Sequence, residues 1–215
     1  VGEFERLAPV FSLPKNIVEL CKKDSDKNFL TKFLNDDLTF LRLNIMCNNN
    51  KNNEIALIVM KNMIMAGDIY DEFSFNQKCF LNALSNCTCE SVTAEKLICS
   101  FLEIIAKQCS ANYNEEEDIS ALEKAVIDKN VSDNFGKLLI EKKQELLMLR
   151  AFYEELIDVT EVFIENENEI LDEKSLKLFK LFRDKAVRYK ENTDIQRDSV
   201  THLWDAYQTS IDRGQ

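Results

Sequence analysis

One histidine, seven cysteines and a dense set of acids are the side chains here whose types could do chemistry. Hydrolase triads and most general bases lean on histidine, and His202 stands alone inside a helical stretch. It is read as a helix-surface or interface residue. A carboxylate-bridged di-iron centre needs two Glu-x-x-His pairs, which a single histidine does not supply. Four scattered glycines build neither G-x-x-x-x-G-K-[S/T] nor G-x-G-x-x-G, so these routes to a bound nucleotide are closed. The chain is read as not an enzyme, with no catalytic and no cofactor-binding residue.

The cysteines, Cys21, Cys47, Cys79, Cys87, Cys89, Cys99 and Cys109, are odd in number and lie in apolar patterns, which fits buried thiols in a reducing compartment. Cys87-Thr-Cys89 is too tightly spaced for a zinc ribbon and has no second pair. The run Glu115-Glu-Glu-Asp118 could hold a cation, but four acids also suit the positive end of a helix, and a solvated helix start is the reading taken. A formal net charge of −11 excludes a nucleic-acid footprint, which needs clustered Lys and Arg. It points to cations or basic surfaces as partners, or simply to a surface that keeps the chain soluble.

These residues must be carried mainly by helices: 215 residues with 4 Gly and 2 Pro leave little material for turns. A helix is expected from Lys15 to about Lys23, with Pro14 at its first turn, and another from about Asp26 to Leu34. Leu38–Cys47 alternates with Leu41, Leu43 and Ile45 on one side and Arg42 and Asn44 on the other, a half-buried strand. Asn48–Asn53 reads as an exposed loop. Ile55–Met60 is a strand buried on both faces, and Lys61-Asn62 a hairpin turn. Antiparallel strands at about 38–47, 54–60 and 63–69 form a meander. The period then changes to 3.6, through Phe80, Leu81 and Leu84 and through Leu97 to Ile105, with Thr93 as a cap.

Beyond residue 132 the pattern lengthens. A seam of Phe135, Leu139, Leu146, Leu149, Tyr153, Leu156 and Phe163, interrupted by Lys142 and Thr160, is followed by the acidic turn Glu165–Glu169 and a cap at Asp172 or Ser175. The last helix buries Leu178, Phe179, Phe182 and Ala186, crosses a polar middle at Lys190–Asp194, and resumes with Val200, Leu203, Trp204, Tyr207 and Ile211. Leu203, Trp204, Tyr207 and Ile211 are expected to be exposed. The fold class is α+β, an α/β/α-type sheet domain over 1–132 and a long antiparallel helical hairpin over 133–215. No run approaches the ~18 apolar residues that cross a bilayer, so the chain as given reads as soluble, and its start at Val1 without Met reads either as the removal of preceding residues or as a start inside a longer protein.

Gln144–Tyr153, Glu165-Asn-Glu-Asn168, Arg197-Asp-Ser-Val200 and Leu203–Asp212 together resemble the CorA-type divalent-cation transporter family over about residues 137 to 213. The resemblance implies a cytoplasmic regulatory domain, its final helix a stalk leading into membrane helices that lie beyond this sequence, in a homopentamer at the cell membrane. Without those helices the domain is expected to be monomeric or weakly associated. It implies Mg²⁺ as transported or regulatory ion, with none required for folding. Aligned on Arg197-Asp198, Asp205 falls on the stalk acid at the pore mouth, and Asp184 on the second acid of an Asp-x-x-Asp pattern whose first acid is replaced by Leu181. Asp184 and Asp205 are thus the metal candidates. The plain alternative is that they, with Asp198, are solvated helix acids. An acidic cytosolic adaptor, docking a partner helix on the apolar seam, is the reading from another class.

Overall fold

The side-chain alternation of Leu38–Cys47 is satisfied by a sheet with a helical layer on each face. The computed structural model describes residues 2–22, 31–47, 51–61, 63–88, 92–112, 115–128, 131–132 and 134–214. Strands β1 (Thr31–Leu34), β2 (Leu38–Cys47), β3 (Lys51–Met60) and β4 (Met63–Tyr70) form an antiparallel meander in the order β1-β2-β3-β4. The Met60–Met63 pair closes the expected tight hairpin. Helices α1 (Gly2–Val10) and α2 (Lys15–Lys22) lie on one face, burying Phe4, Ile17 and Cys21 against Phe40, Ala56 and Ile58. Leu41, Leu43, Ile45, Ile55, Leu57 and Val59 turn to the opposite face. There they meet α3 (Phe75–Ser85), α4 (Ala94–Asn112) and parts of α6 (Phe135–Glu165) and α7 (Glu173–Gly214) in one core. Helix α5 (Glu115–Ile127) packs farther along, on α7. This is the expected α+β architecture, mostly helical.

Several local expectations are corrected. Residues 31–34 are a strand and not the end of a helix, because Phe33 and Leu34 pair with Phe40 and Thr39 across the Asn35 turn. Asn35 Oδ1 accepts the N–H groups of Asp37 and Leu38 there, so the sheet has four strands and not three. The stretch 23–30 lies outside the described residues, as does 48–50. Lys51–Asn53 do not belong to a loop but extend β3, and Asn53 is fully buried, donating to Asp71 Oδ1 at 3.3 Å. The second face of β2 is covered as well, with Arg42 and Asn44 both buried. In α3, Cys79 and Ala83 face the core while Leu81 and Leu84 are exposed.

At ~1.5 Å per residue α6 is about 46 Å long and α7 about 63 Å, the latter over 42 residues. They run antiparallel, joined by a turn that Asn166 fixes: it ends α6 at a left-handed φ of 46° and exchanges two hydrogen bonds with Leu171. Asp172 then caps α7 by accepting from the Ser175 N–H at 2.8 Å. Aromatic rungs cross the hairpin: Phe163 stacks on Phe179 at 4.6 Å, Tyr153 meets Tyr189 at 5.5 Å, and Phe135 meets Tyr207 at 5.1 Å. The polar middle of α7 faces Arg150, which donates to Asp194 and Glu154, both at 2.9 Å, while Lys190 reaches Glu154 at 3.1 Å.

The far end of the hairpin departs most from expectation. Leu203 is buried, and Trp204 and Tyr207 are half-buried, in a separate cluster with Ile119, Phe135, Leu139, Leu146 and Val200. Helix α5 supplies this cover. Gly136 permits it, since a Cβ there would stand 3.3 Å from Tyr207 and 3.5 Å from Trp204. Ile211 alone of the four is exposed.

Candidate acidic face of the long helix

Because a helix repeats nearly every 3.6 residues, acids seven apart share a face, and α7 carries Asp184, Glu191, Asp198 and Asp205 at that interval. All four are exposed. Glu191 was not singled out from the sequence, although the seven-residue interval was there to be read. Leu181, one turn before Asp184, and Ile195, between Glu191 and Asp198, are exposed at 63% and 65%, so this face of α7 is uncovered along much of its length.

Within one chain these acids do not converge. Asp184 and Asp205 lie roughly 31 Å apart along the helix axis, and Asp184 accepts from the neighbouring Arg183 guanidinium at 3.0 Å. The Asp205 backbone carbonyl takes the Thr209 hydroxyl at 2.9 Å. Among the described residues no group of three or more His, Cys, Asp or Glu is placed to hold a metal ion. Cys21, Cys79 and Cys109 are buried, and burial pushes the Cys99 thiol up to about 12, out of reach of thiolate chemistry.

The charged groups with unusual surroundings lie elsewhere, at Lys142, Arg42 and Glu155. Lys142, in the apolar seam of α6, is 7% exposed and bridges Asp118 at 2.8 Å and Glu145 at 3.0 Å. Burial opposes its charge, and the bonds to both carboxylates more than offset that, so its pKa is raised. A cleft of about 400 Å³ opens beside it between α5 and α6, over Leu122, Phe135 and Leu138. Arg42 on β2 binds Glu54 and donates to the Leu20 carbonyl at 2.8 Å. Glu155 on α6 accepts the Asn44 backbone N–H at 3.0 Å, and burial pushes its carboxyl up to about 7.

A four-stranded antiparallel meander between two helices and a longer helical layer that includes the last helix defines the class: the fold of the soluble domain of CorA-type proteins. Similarity to solved structures covers nearly the whole chain. The soluble domain of CorA from Methanocaldococcus jannaschii matches with a TM-score of 0.73 at 11% identity, over 95% of this chain and 82% of that one. The cytoplasmic domain of ZntB from Vibrio parahaemolyticus matches with a TM-score of 0.73 at 13% identity, over 98% and 84%. The complete CorA magnesium transporter of M. jannaschii matches with a TM-score of 0.77 at 11% identity, over 99% and 68%. No protein-family sequence model matches the chain, and no curated protein matches it in sequence. The resemblance noted in the sequence is therefore one of fold. Among the described residues, no helix is long and apolar enough to cross a membrane.

Proposed function

We propose that this chain is the cytoplasmic regulatory domain of a CorA-like divalent-cation transporter, with α7 as the stalk that continues toward the membrane. The observation that carries this reading is the whole-chain match to the CorA and ZntB soluble domains. A second support is that α7 keeps one face uncovered over its length while its other faces pack on α4, α5 and α6. In the assembly, taken as a homopentamer, that face meets its symmetry copies. The cargo is taken as Mg²⁺.

On this reading Asp205 contributes a ring of carboxylates near the pore mouth and Asp184 a second ring toward the sheet. Mg²⁺ keeps most of its water and is held by few carboxylates, so rings built by symmetry suit it without a cage inside any one chain. Leu181 supplies no oxygen where an Asp-x-x-Asp pair would begin, so Asp184 acts through charge alone. The test is Asp205→Asn in the full-length protein reconstituted in vesicles. Mg²⁺ influx is expected to fall, and to fall more at low ionic strength than at high, because salt screens the field of a charged ring. Equal influx for both proteins at both salt levels would return Asp205 to the solvated surface of the helix.

A further inference from the structure

Helix α7 holds its phase by burying Val200 and Leu203 in the distal cluster, with Tyr207 against Phe135 a turn later. That packing turns Asp198, His202 and Asp205 to the opposite side, where all three are exposed. His202 is the one histidine of the chain, and it stands four residues after Asp198 and three before Asp205. On a helix such neighbours have Cβ atoms about 5–6 Å apart, and side chains lean toward the N-terminus, so the imidazole leans back over Asp198. Nearby acids are committed to cations of their own chain: Asp194 meets Arg150 and Arg197, and Asp184 meets Arg183.

We propose that Asp198 and His202 form a two-ligand site for a divalent transition-metal ion such as Zn²⁺, completed by the same pair from the α7 face of a second copy. An imidazole nitrogen at about 2.0–2.1 Å and a carboxylate oxygen at about 2.0–2.2 Å suit Zn²⁺, and helical residues four apart can hold one ion between them. Asp205 does not join them within one chain, because it lies about 10.5 Å along the axis from Asp198, beyond the combined reach of two aspartates. One chain therefore supplies two ligands, and no group of three is placed on one ion among the described residues. Tetrahedral Zn²⁺ takes four, which two copies provide. The charge of the face points the same way. Asp184, Glu191, Asp198 and Asp205 repel their counterparts when two such faces approach, and a dication held between them turns that repulsion into attraction. This site rests on the reading of α7 as a surface that meets its copies, but it differs in the ion. Mg²⁺ prefers oxygen ligands and keeps its water, so the histidine discriminates against it.

NMR and sedimentation on this chain, titrated with Zn²⁺ alone, test the site. The His202 imidazole signals are expected to shift until about one ion is bound per two chains. The sedimenting mass should rise with them, from 25.0 kDa toward twice that value. Mg²⁺ in roughly hundredfold excess should do neither. His202→Ala and Asp198→Asn should each abolish both responses, whereas Glu191→Gln, which removes a charge from the same face and no ligand, should keep them. All three positions are exposed, so the fold is not at stake. Any of four results would overturn the proposal. One is a set of imidazole signals that Zn²⁺ leaves in place. Another is a Zn²⁺-linked rise in mass that survives His202→Ala or Asp198→Asn, which would assign the ion to other side chains such as the cysteines. The third is an equal response to Mg²⁺, which would mean a diffuse cation layer along an acidic helix. The last is saturation at one ion per chain with no change in mass, which would leave the second copy out. None of these bears on Mg²⁺ influx in the Asp205→Asn protein, so failure of this site and failure of the transporter reading are told apart.

Discussion

Single residues decide where charge is tolerated in this chain, and Lys142 is the sharpest instance. It breaks an otherwise apolar seam, yet it is buried because two carboxylates meet its ammonium group. Lys142→Ala should cost about 1–3 kcal/mol in chemical denaturation, chiefly because the buried stem leaves a gap in the seam, since Asp118 and Glu145 are half exposed and solvated. Lys142→Met, which keeps the stem, should cost less. Thr160 interrupts the same seam differently: fully buried, it turns its hydroxyl to the Leu156 carbonyl at 2.6 Å. The interruptions were visible in the sequence, but their partners lie 24 residues away or on the preceding turn, and no local pattern names them. Glu155 was wholly illegible, since its environment is made by β2 and β3. Its raised pKa gives stability a definite slope. The folded chain holds the proton more tightly than the unfolded one, so this contribution is full below 4.5 and is lost as pH rises toward about 7. Thermal melts should show that decline, and Glu155→Gln should flatten it.

Elements followed the sequence wherever one period ran long enough to be unambiguous. The alternation of β2 and the seam of α6 each fix a face over ten residues or more, and the shorter apolar run Ile55–Met60 marks β3 as buried on both faces. Four-residue β1 is too short for periods 2 and 3.6 to differ, and strand pairing settles it. Asn53 misled because Asn suits turns, while its burial depends on the Asp71 carboxylate supplied after β4. Helix α1 rests on β4 at Gly67, where a Cβ would overlap the Phe4 ring. Gly67→Ala should therefore lift α1 from the sheet and cost about 1–3 kcal/mol, with amide exchange rising first in residues 2–22. Farther along, Phe179→Ala removes a fully buried ring that stacks on Phe163, and should cost about 3–5 kcal/mol.

At the scale of the whole molecule, the apolar end of α7 is not a sticky tail awaiting a neighbour. Its Leu203, Trp204 and Tyr207 are already covered by α5 and the start of α6. Removing residues 197–214 should therefore leave Phe135, Leu139 and Leu146 open to water, with increased binding of a hydrophobic dye and a lower melting temperature. An unchanged melt would mean that the distal cluster contributes nothing. Helix α7 is thus gripped twice, by Phe179, Phe182 and Ala186 in the main core and by Val200 and Leu203 in the distal cluster, and salt-bridged between them. Those two grips make it a lever with its fulcrum in the sheet domain. From Phe182 to Ile211 the arm is about 43 Å, so a tilt of only ~5° at the core sweeps the tip by ~4 Å. Through α6, the same fulcrum feels the edge of β2.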